Sequence, residues 1–131
     1  MMAMTKNLQD TPRIEPREER GYAIIGITGI VDDDIHRQYR SEDKSFLDAF
    51  RDYSSSLGRP FVLDLTECKL HGSGSLSLFL EAYSILGDKV PVVSNDDHLS
   101  MILRNTRIDD FTTMHRSIED LPELPKPISS R

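Results

Sequence analysis

The stretch from Phe61 to Tyr83, FVLDLTECKLHGSGSLSLFLEAY, joins a strand pattern to a helix pattern through a short polar loop. Its first part is an apolar run rich in β-forming residues, which predicts a central strand covered on both faces. Its second part, from Leu76 to Leu86, is apolar over most of a helical circumference and predicts a buried helix. A strand that leads directly into a helix indicates one unit of a mostly parallel α/β sheet.

Strand and helix patterns alternate on both sides of this stretch. Residues 13–17 and 22–30 predict an N-terminal hairpin, in which Pro16 confines the first strand to an edge of the sheet. A helix is expected to begin near Ser41 or Asp43 and to end at Gly58. The later elements are a strand at 89–94, a helix within 95–105, a strand at 110–116 and a helical turn at 117–123.

This order predicts an α/β fold with a mixed, mostly parallel sheet of about five strands, an antiparallel N-terminal hairpin and about four helices. We expect one domain over residues 12–124, with mobile segments at residues 1–11 and at residues 125–131, which are rich in proline.

Composition excludes several classes of partner. The 131 residues carry a formal net charge of −6 and no cluster of Lys or Arg, which argues against nucleic acid and anionic membranes as partners.

No apolar run approaches the ~18 residues of a membrane span, and the first residues lack the apolar segment of a signal peptide. The one cysteine, Cys68, allows no internal disulfide and suits a small apolar position after a strand. We therefore expect a cytoplasmic protein.

The loop LHGSGS holds residue types that hydrolases and nucleotide-binding proteins use. A nucleophile elbow needs glycine two residues before and two after its serine, and neither Ser73 nor Ser75 has both. The glycines Gly72 and Gly74, with Ser77, resemble a dinucleotide fingerprint between strand and helix. That motif belongs to the first strand of a larger domain, whereas this loop follows a hairpin and a helix. Catalysis and nucleotide binding are therefore both disfavoured.

Metal binding is also disfavoured. The stretch DDDIH, from Asp32 to His36, places carboxylates beside an imidazole, but acidic residues after a strand usually serve in turns and caps. His98 and His115 have no partner ligands at metal-binding spacing. We expect neither a metal ion nor a cofactor.

Three segments of the chain resemble the STAS family, the sulfate-transporter and anti-sigma-factor-antagonist domains. GYAIIGITGIVD is similar to the family's second strand, and FVLDLTECKLHGSGSLSLFLEAY to its signature of strand, serine-containing loop and helix. The segment VPVVSNDDHLSMILRNTRIDDFTTMHRSIEDL resembles its closing strand, helix, strand and helix. The likeness covers residues 13–124.

The resemblance implies a protein that does not catalyse a reaction but binds an anti-sigma factor that is also a serine kinase. It implies that phosphorylation of a serine at the start of the second helix ends this binding. By position that serine is Ser73, with Ser75 as the alternative, and we also expect Ser73 to be the N-cap of the helix. The family's acidic residue before the serine is replaced here by Gly72.

The expected partner surface combines this loop with the end of the second strand. Its members are Asp32, Asp33, Asp34, His71, Gly72, Ser73, Gly74, Ser75 and Leu76. Two other functions stay open: a subunit that docks on a transporter ATPase, and a domain that binds a small molecule or nucleotide. The oligomeric state is expected to be a monomer or a weak dimer.

Overall fold

The structure is a computed structural model, and it describes residues 12–31 and 45–122. Its strands are β1 (Arg13–Glu19), β2 (Tyr22–Val31), β3 (Phe61–Asp64), β4 (Cys68–Leu70), β5 (Val90–Val93) and β6 (Thr112–His115). Its α-helices are α1 (Phe46–Leu57), α2 (Ser77–Leu86) and α3 (Asp97–Asn105). Short 3₁₀ segments occupy Ser73–Leu76, Ile108–Asp110 and Ile118–Asp120.

The strands form a mixed sheet with the order β1-β2-β3-β5-β6, and β4 pairs with β2 outside this path. β1 and β2 are antiparallel, whereas the other pairings are parallel. β1 lies at the edge, as Pro16 requires, and all four residues of β3 are buried in the middle of the sheet. The predicted α/β fold with its N-terminal hairpin and central strand is confirmed.

Apolar residues of the three α-helices cover one face of the sheet. Phe50 of α1, Phe79 of α2 and Leu103 of α3 are fully buried and belong to one cluster with alternate residues of β2, β3 and β5. The opposite face carries a smaller cluster, in which Ile118 and Leu121 cover the central strands. Alternation within a strand puts neighbouring side chains on opposite faces, so β2 and β3 supply both clusters.

An ion pair on this second face joins the edge hairpin to the central strand. The Arg17 guanidinium of β1 lies 2.7 Å from the Asp64 carboxylate of β3, and β2 runs between them. Gly26 of β2 leaves room for the crossing, because a Cβ there would lie 3.5 Å from the Arg17 Nη1 atom and 2.9 Å from the Glu15 carbonyl oxygen. The missing side chain at Gly26 thus allows the close approach of β1, while the Arg17 guanidinium passes over this position at ordinary contact distance.

Several element predictions were wrong in detail. The described residues contain six strands and three α-helices, not about five and about four. The additional strand is β4, so Cys68 lies within a strand and not after one. The expected helical turn at residues 117–123 is a 3₁₀ segment at Ile118–Asp120, so it does not add a fourth α-helix. α1 begins at Phe46 after the cap Ser45, and not near Ser41 or Asp43, which lie outside the described residues.

The expected mobile segments at residues 1–11 and 125–131 also lie outside the described residues. In the part of the chain that the structure describes, no helix combines the length and apolarity needed to cross a membrane.

Candidate functional site

Two strands bring the predicted site together at the carboxyl edge of the sheet. β2 is long enough to pair with β3 through Ala23–Gly26 and then with β4 through Gly29–Val31. Between β3 and β4 the chain turns at Asp64, whose carboxylate accepts hydrogen bonds from the Thr66 amide at 3.0 Å and the Thr66 hydroxyl at 2.8 Å. β4 therefore continues alongside the last residues of β2.

The loop that follows β4 is attached to the end of β2. The His71 amide donates to the Val31 carbonyl oxygen at 2.8 Å. His71 and Gly72 are exposed, and Gly74 is half-buried. The turn His71–Gly74 therefore lies beside the point where the chain leaves β2. Asp32, Asp33 and Asp34 follow Val31 directly in sequence, but they lie outside the described residues.

The helical segment after this turn begins as a 3₁₀ turn at Ser73 and continues into α2 at Ser77. The residue at the N-cap position is Gly72, with φ 84° and ψ 153°, so the N-cap role expected for Ser73 is wrong by one position. The predicted helix from Leu76 to Leu86 thus consists of an α-helix that starts one residue later, preceded by a 3₁₀ turn.

Ser75 and Leu76 differ from the exposed residues His71 and Gly72 because both are buried. Ser75 is 0% exposed, and its hydroxyl donates to the Gly72 carbonyl oxygen at 2.7 Å, which closes the turn from inside. The Ser75 amide points to the same oxygen at 3.3 Å. Leu76 belongs to the main apolar cluster. Both residues support the turn structurally and offer little surface to a partner.

A shallow cavity of about 220 Å³ joins the turn to α3, which the sequence did not connect with it. One wall is formed by Leu70, Gly72 and Leu76, and the other by α3 with the residue that follows it. The residues of this second wall are Leu99, Ile102 and Thr106. Only the sheet order reveals this neighbourhood, because α3 follows β5 and lies far from the turn in sequence.

Ser75 and Cys68, two potential nucleophiles near the turn, are poorly placed to act as such. The Ser75 hydroxyl donates to a backbone carbonyl and not to a base. Burial raises the pKa of the Cys68 thiol to about 12, so the thiol stays protonated at neutral pH. Among the described residues there is no group of three His, Cys, Asp or Glu side chains that could hold a metal ion.

Comparison with known proteins gives one informative result. No family model matches the sequence, and no curated protein matches it. The structure is similar to a solved structure described as an anti-sigma factor antagonist from Mycobacterium paratuberculosis, with a TM-score of 0.66 and 18% identity. The match covers 85% of this chain and 91% of that one. At this identity the likeness shows the fold alone, and the chain has the STAS-type fold that the sequence resemblance implied.

Proposed function

We propose that the protein is a cytoplasmic anti-sigma-factor antagonist that binds an anti-sigma factor with serine-kinase activity. The observation that carries this proposal is the turn His71–Gly74, which begins with the exposed residues His71 and Gly72 and lies beside the end of β2. Similarity of the fold to a protein described as an anti-sigma factor antagonist supports it. The partner would contact His71, Gly72, Ser73 and Gly74, together with Asp32, Asp33 and Asp34.

Apolar contact with the partner would come from α2. Leu80 lies one turn after the start of this helix and is 46% exposed, which is unusual for a leucine in this chain. Interfaces commonly combine an apolar centre with a polar rim. Leu80 would supply the apolar part, and the turn together with Asp32, Asp33 and Asp34 would supply the polar part.

Phosphorylation is proposed at Ser73 and not at Ser75. Ser75 is 0% exposed and its hydroxyl is hydrogen-bonded inside the turn, so a kinase could reach it only after the turn had opened. Ser73 is the first residue of the helical segment and follows the exposed Gly72. A phosphate there adds about −1.5 to −2 charges next to the positive end of the helix dipole, which the fold tolerates.

The phosphate would weaken binding of the anti-sigma factor and would not unfold the protein. The chain already carries a formal net charge of −6, so further negative charge opposes an acidic or apolar contact surface. An opposing free energy of only ~1.4 kcal/mol weakens binding tenfold.

We further propose that the protein acts by binding and has no catalytic activity or cofactor. The protonated Cys68 thiol and the internally bonded Ser75 hydroxyl support this. The cavity beside the turn holds about 220 Å³ and has mostly aliphatic walls. Ligand pockets are typically of ~300–1,000 Å³, so a nucleotide would fit poorly.

The decisive experiment incubates the full chain with ATP and a candidate anti-sigma factor of the serine-kinase type. We expect an increase in intact mass by one phosphate, and we expect Ser73→Ala to abolish it. The matched control is Ser84→Ala, which changes an exposed serine of α2 away from the turn and should leave the modification intact.

Binding is measured in parallel by calorimetry with the same partner. Ser73→Asp should weaken binding at least tenfold, and Ser84→Asp should leave it nearly unchanged. The absence of both modification and binding with every kinase tested would overturn the proposal. Copurification with a transporter ATPase, independent of phosphate, would favour that alternative instead.

A further inference from the structure

A second cavity lies at the end of the sheet opposite the His71–Gly74 turn. It has a volume of about 640 Å³ and lies where β2, β3 and β5 begin. β2 runs from Tyr22 to Val31, so at ~3.3 Å per residue this cavity is about 30 Å from the turn. Ligand pockets typically have volumes of ~300–1,000 Å³, so this cavity is large enough for a small organic molecule.

The walls of this cavity are apolar, and both layers of the fold contribute to them. Phe61 and Leu86 belong to the apolar cluster on the helix side of the sheet, and Tyr22 packs against the cluster on the opposite face. Pro60 and Pro91 also line the cavity, and proline has no amide hydrogen, so neither residue brings a backbone donor into it. An apolar ligand would therefore displace water from these walls at little polar cost.

The fold holds the Tyr22 wall of the cavity in place. The Tyr22 hydroxyl donates to the Pro122 carbonyl oxygen. The segment before Pro122 is itself fixed, because the Arg20 guanidinium donates to the carbonyl oxygens of Ile118 at 2.8 Å and Leu121 at 3.3 Å. A wall that is already ordered loses little conformational entropy when a ligand binds.

Charged residues line the open side of the cavity, and all of them are exposed: Glu18, Arg59, Asp88 and Lys89. The Arg59 guanidinium lies 2.6 Å from the Glu18 carboxylate, so these two charges balance each other. The Asp88 carboxylate accepts a hydrogen bond from the Lys89 amide at 2.7 Å. In the part of the chain that the structure describes, no carboxylate pairs with the Lys89 ammonium. Lys89 can therefore take an anionic group of a ligand as its partner.

We propose that this cavity binds a small apolar carboxylic acid. Its hydrocarbon part would lie against Tyr22, Phe61 and Leu86, and its carboxylate would lie near Lys89. Burial of the hydrocarbon would supply most of the affinity, and the ammonium would select the sign of the head group. The site is separate from the His71–Gly74 turn, so this inference does not depend on the proposed function.

Titration of the full chain with decanoate, followed by nuclear magnetic resonance, tests this proposal. We expect saturating shifts of the Tyr22, Phe61 and Leu86 amide resonances, with a dissociation constant of about 1 mM or below. Acetate, which lacks the hydrocarbon chain, should give no saturating shifts. Lys89→Glu should weaken decanoate binding by about tenfold or more without lowering the melting temperature, because Lys89 is exposed. The matched control Lys69→Glu makes the same charge change at an exposed position of β4 and should bind decanoate as the unsubstituted chain does.

Any of three results would overturn the carboxylate site. The first is the absence of saturating shifts at these residues in millimolar decanoate. The second is equal affinity of Lys89→Glu and the unsubstituted chain for decanoate. The third is binding of decylammonium, which has the same chain length and a cationic head group, as tightly as decanoate, because the cavity would then not recognise an anion.

Discussion

Gly72 occupies a backbone conformation that is nearly exclusive to glycine, with φ 84° and ψ 153°. Its carbonyl oxygen accepts two hydrogen bonds from Ser75, so this conformation closes the turn that contains Ser73. Resemblance to the STAS family led to the expectation of an acidic residue here. The structure explains the departure, because an L-residue at this position would be strained in the turn that the chain adopts.

Gly72→Asp, which restores the acidic residue, should therefore destabilise the protein. The expected cost is about 1–3 kcal/mol from backbone strain. It is measured as the loss in the free energy of unfolding by urea, followed by circular dichroism because the chain has no tryptophan. His71→Asp is the matched control, since it places a carboxylate at the neighbouring exposed position without requiring that backbone conformation. Equal stability of Gly72→Asp and the unsubstituted protein would contradict the strain.

At the scale of elements, periodicity located α1 but did not locate its start. The helix begins after Ser45, whose hydroxyl accepts from the Asp48 amide at 3.1 Å, while the Asp48 carboxylate accepts from the Ser45 amide at 3.4 Å. This capping box satisfies two backbone donors at the start of the helix. The helix was expected to begin near Ser41 or Asp43, and Ser45 is a further residue of capping type in the same stretch. Ser45, which is buried, is the residue that caps the helix, and periodicity alone does not identify it.

Ser45→Ala should lower the free energy of unfolding by about 1 kcal/mol, because the Asp48 amide loses its acceptor in a buried place. Ser45→Thr keeps an acceptor and should lose less. The measurement is urea unfolding of both variants under identical conditions. If the two variants lose the same amount, packing at Ser45 and not the cap is responsible.

β4 shows a limit of sequence patterns at the same scale. The strand has three residues and an exposed Lys69 at its centre, which is too short for an alternating pattern to be recognised. Its pairing with the end of β2 nevertheless determines where the turn His71–Gly74 lies. The site was predicted as a set of residues, but their proximity depends on this unpredicted strand.

At the scale of the whole molecule, the Arg17–Asp64 ion pair links residues 47 positions apart across three strands. Burial of Asp64 opposes ionisation, but hydrogen bonds from the Thr66 amide, the Arg17 guanidinium and the Thr66 hydroxyl outweigh it. The pKa of Asp64 in the folded protein is therefore below its ordinary value. Between these two pKa values the unfolded chain binds more protons than the folded one, so stability falls as the pH falls.

Asp64→Asn should lower the free energy of unfolding at pH 7 by about 1–3 kcal/mol, because charge-assisted hydrogen bonds are lost. The unsubstituted protein should lose its extra free energy of unfolding, relative to Asp64→Asn, as the pH falls below ~4, the ordinary pKa of aspartate. Urea unfolding of both proteins at pH 7 and pH 3 measures this, and the difference in their free energies of unfolding should be smaller at pH 3. Asp110→Asn, at an exposed position, is the control. If the unsubstituted protein and Asp64→Asn differ in free energy of unfolding by the same amount at both pH values, Asp64 acts by packing alone.

The sequence alone was sufficient for the order of the three α-helices and of every strand except β4, for the parallel sheet with its antiparallel edge hairpin, and for the loop on which the functional hypothesis rests. These features depend on local periodicity and turn residues, which are properties of neighbouring positions. Tertiary structure alone decided that β4 pairs with β2, that Ser75 and Leu76 are buried, and that α3 borders the turn. These features depend on contacts between distant segments, because burial and pairing are set by the three-dimensional packing of the sheet and not by any local pattern.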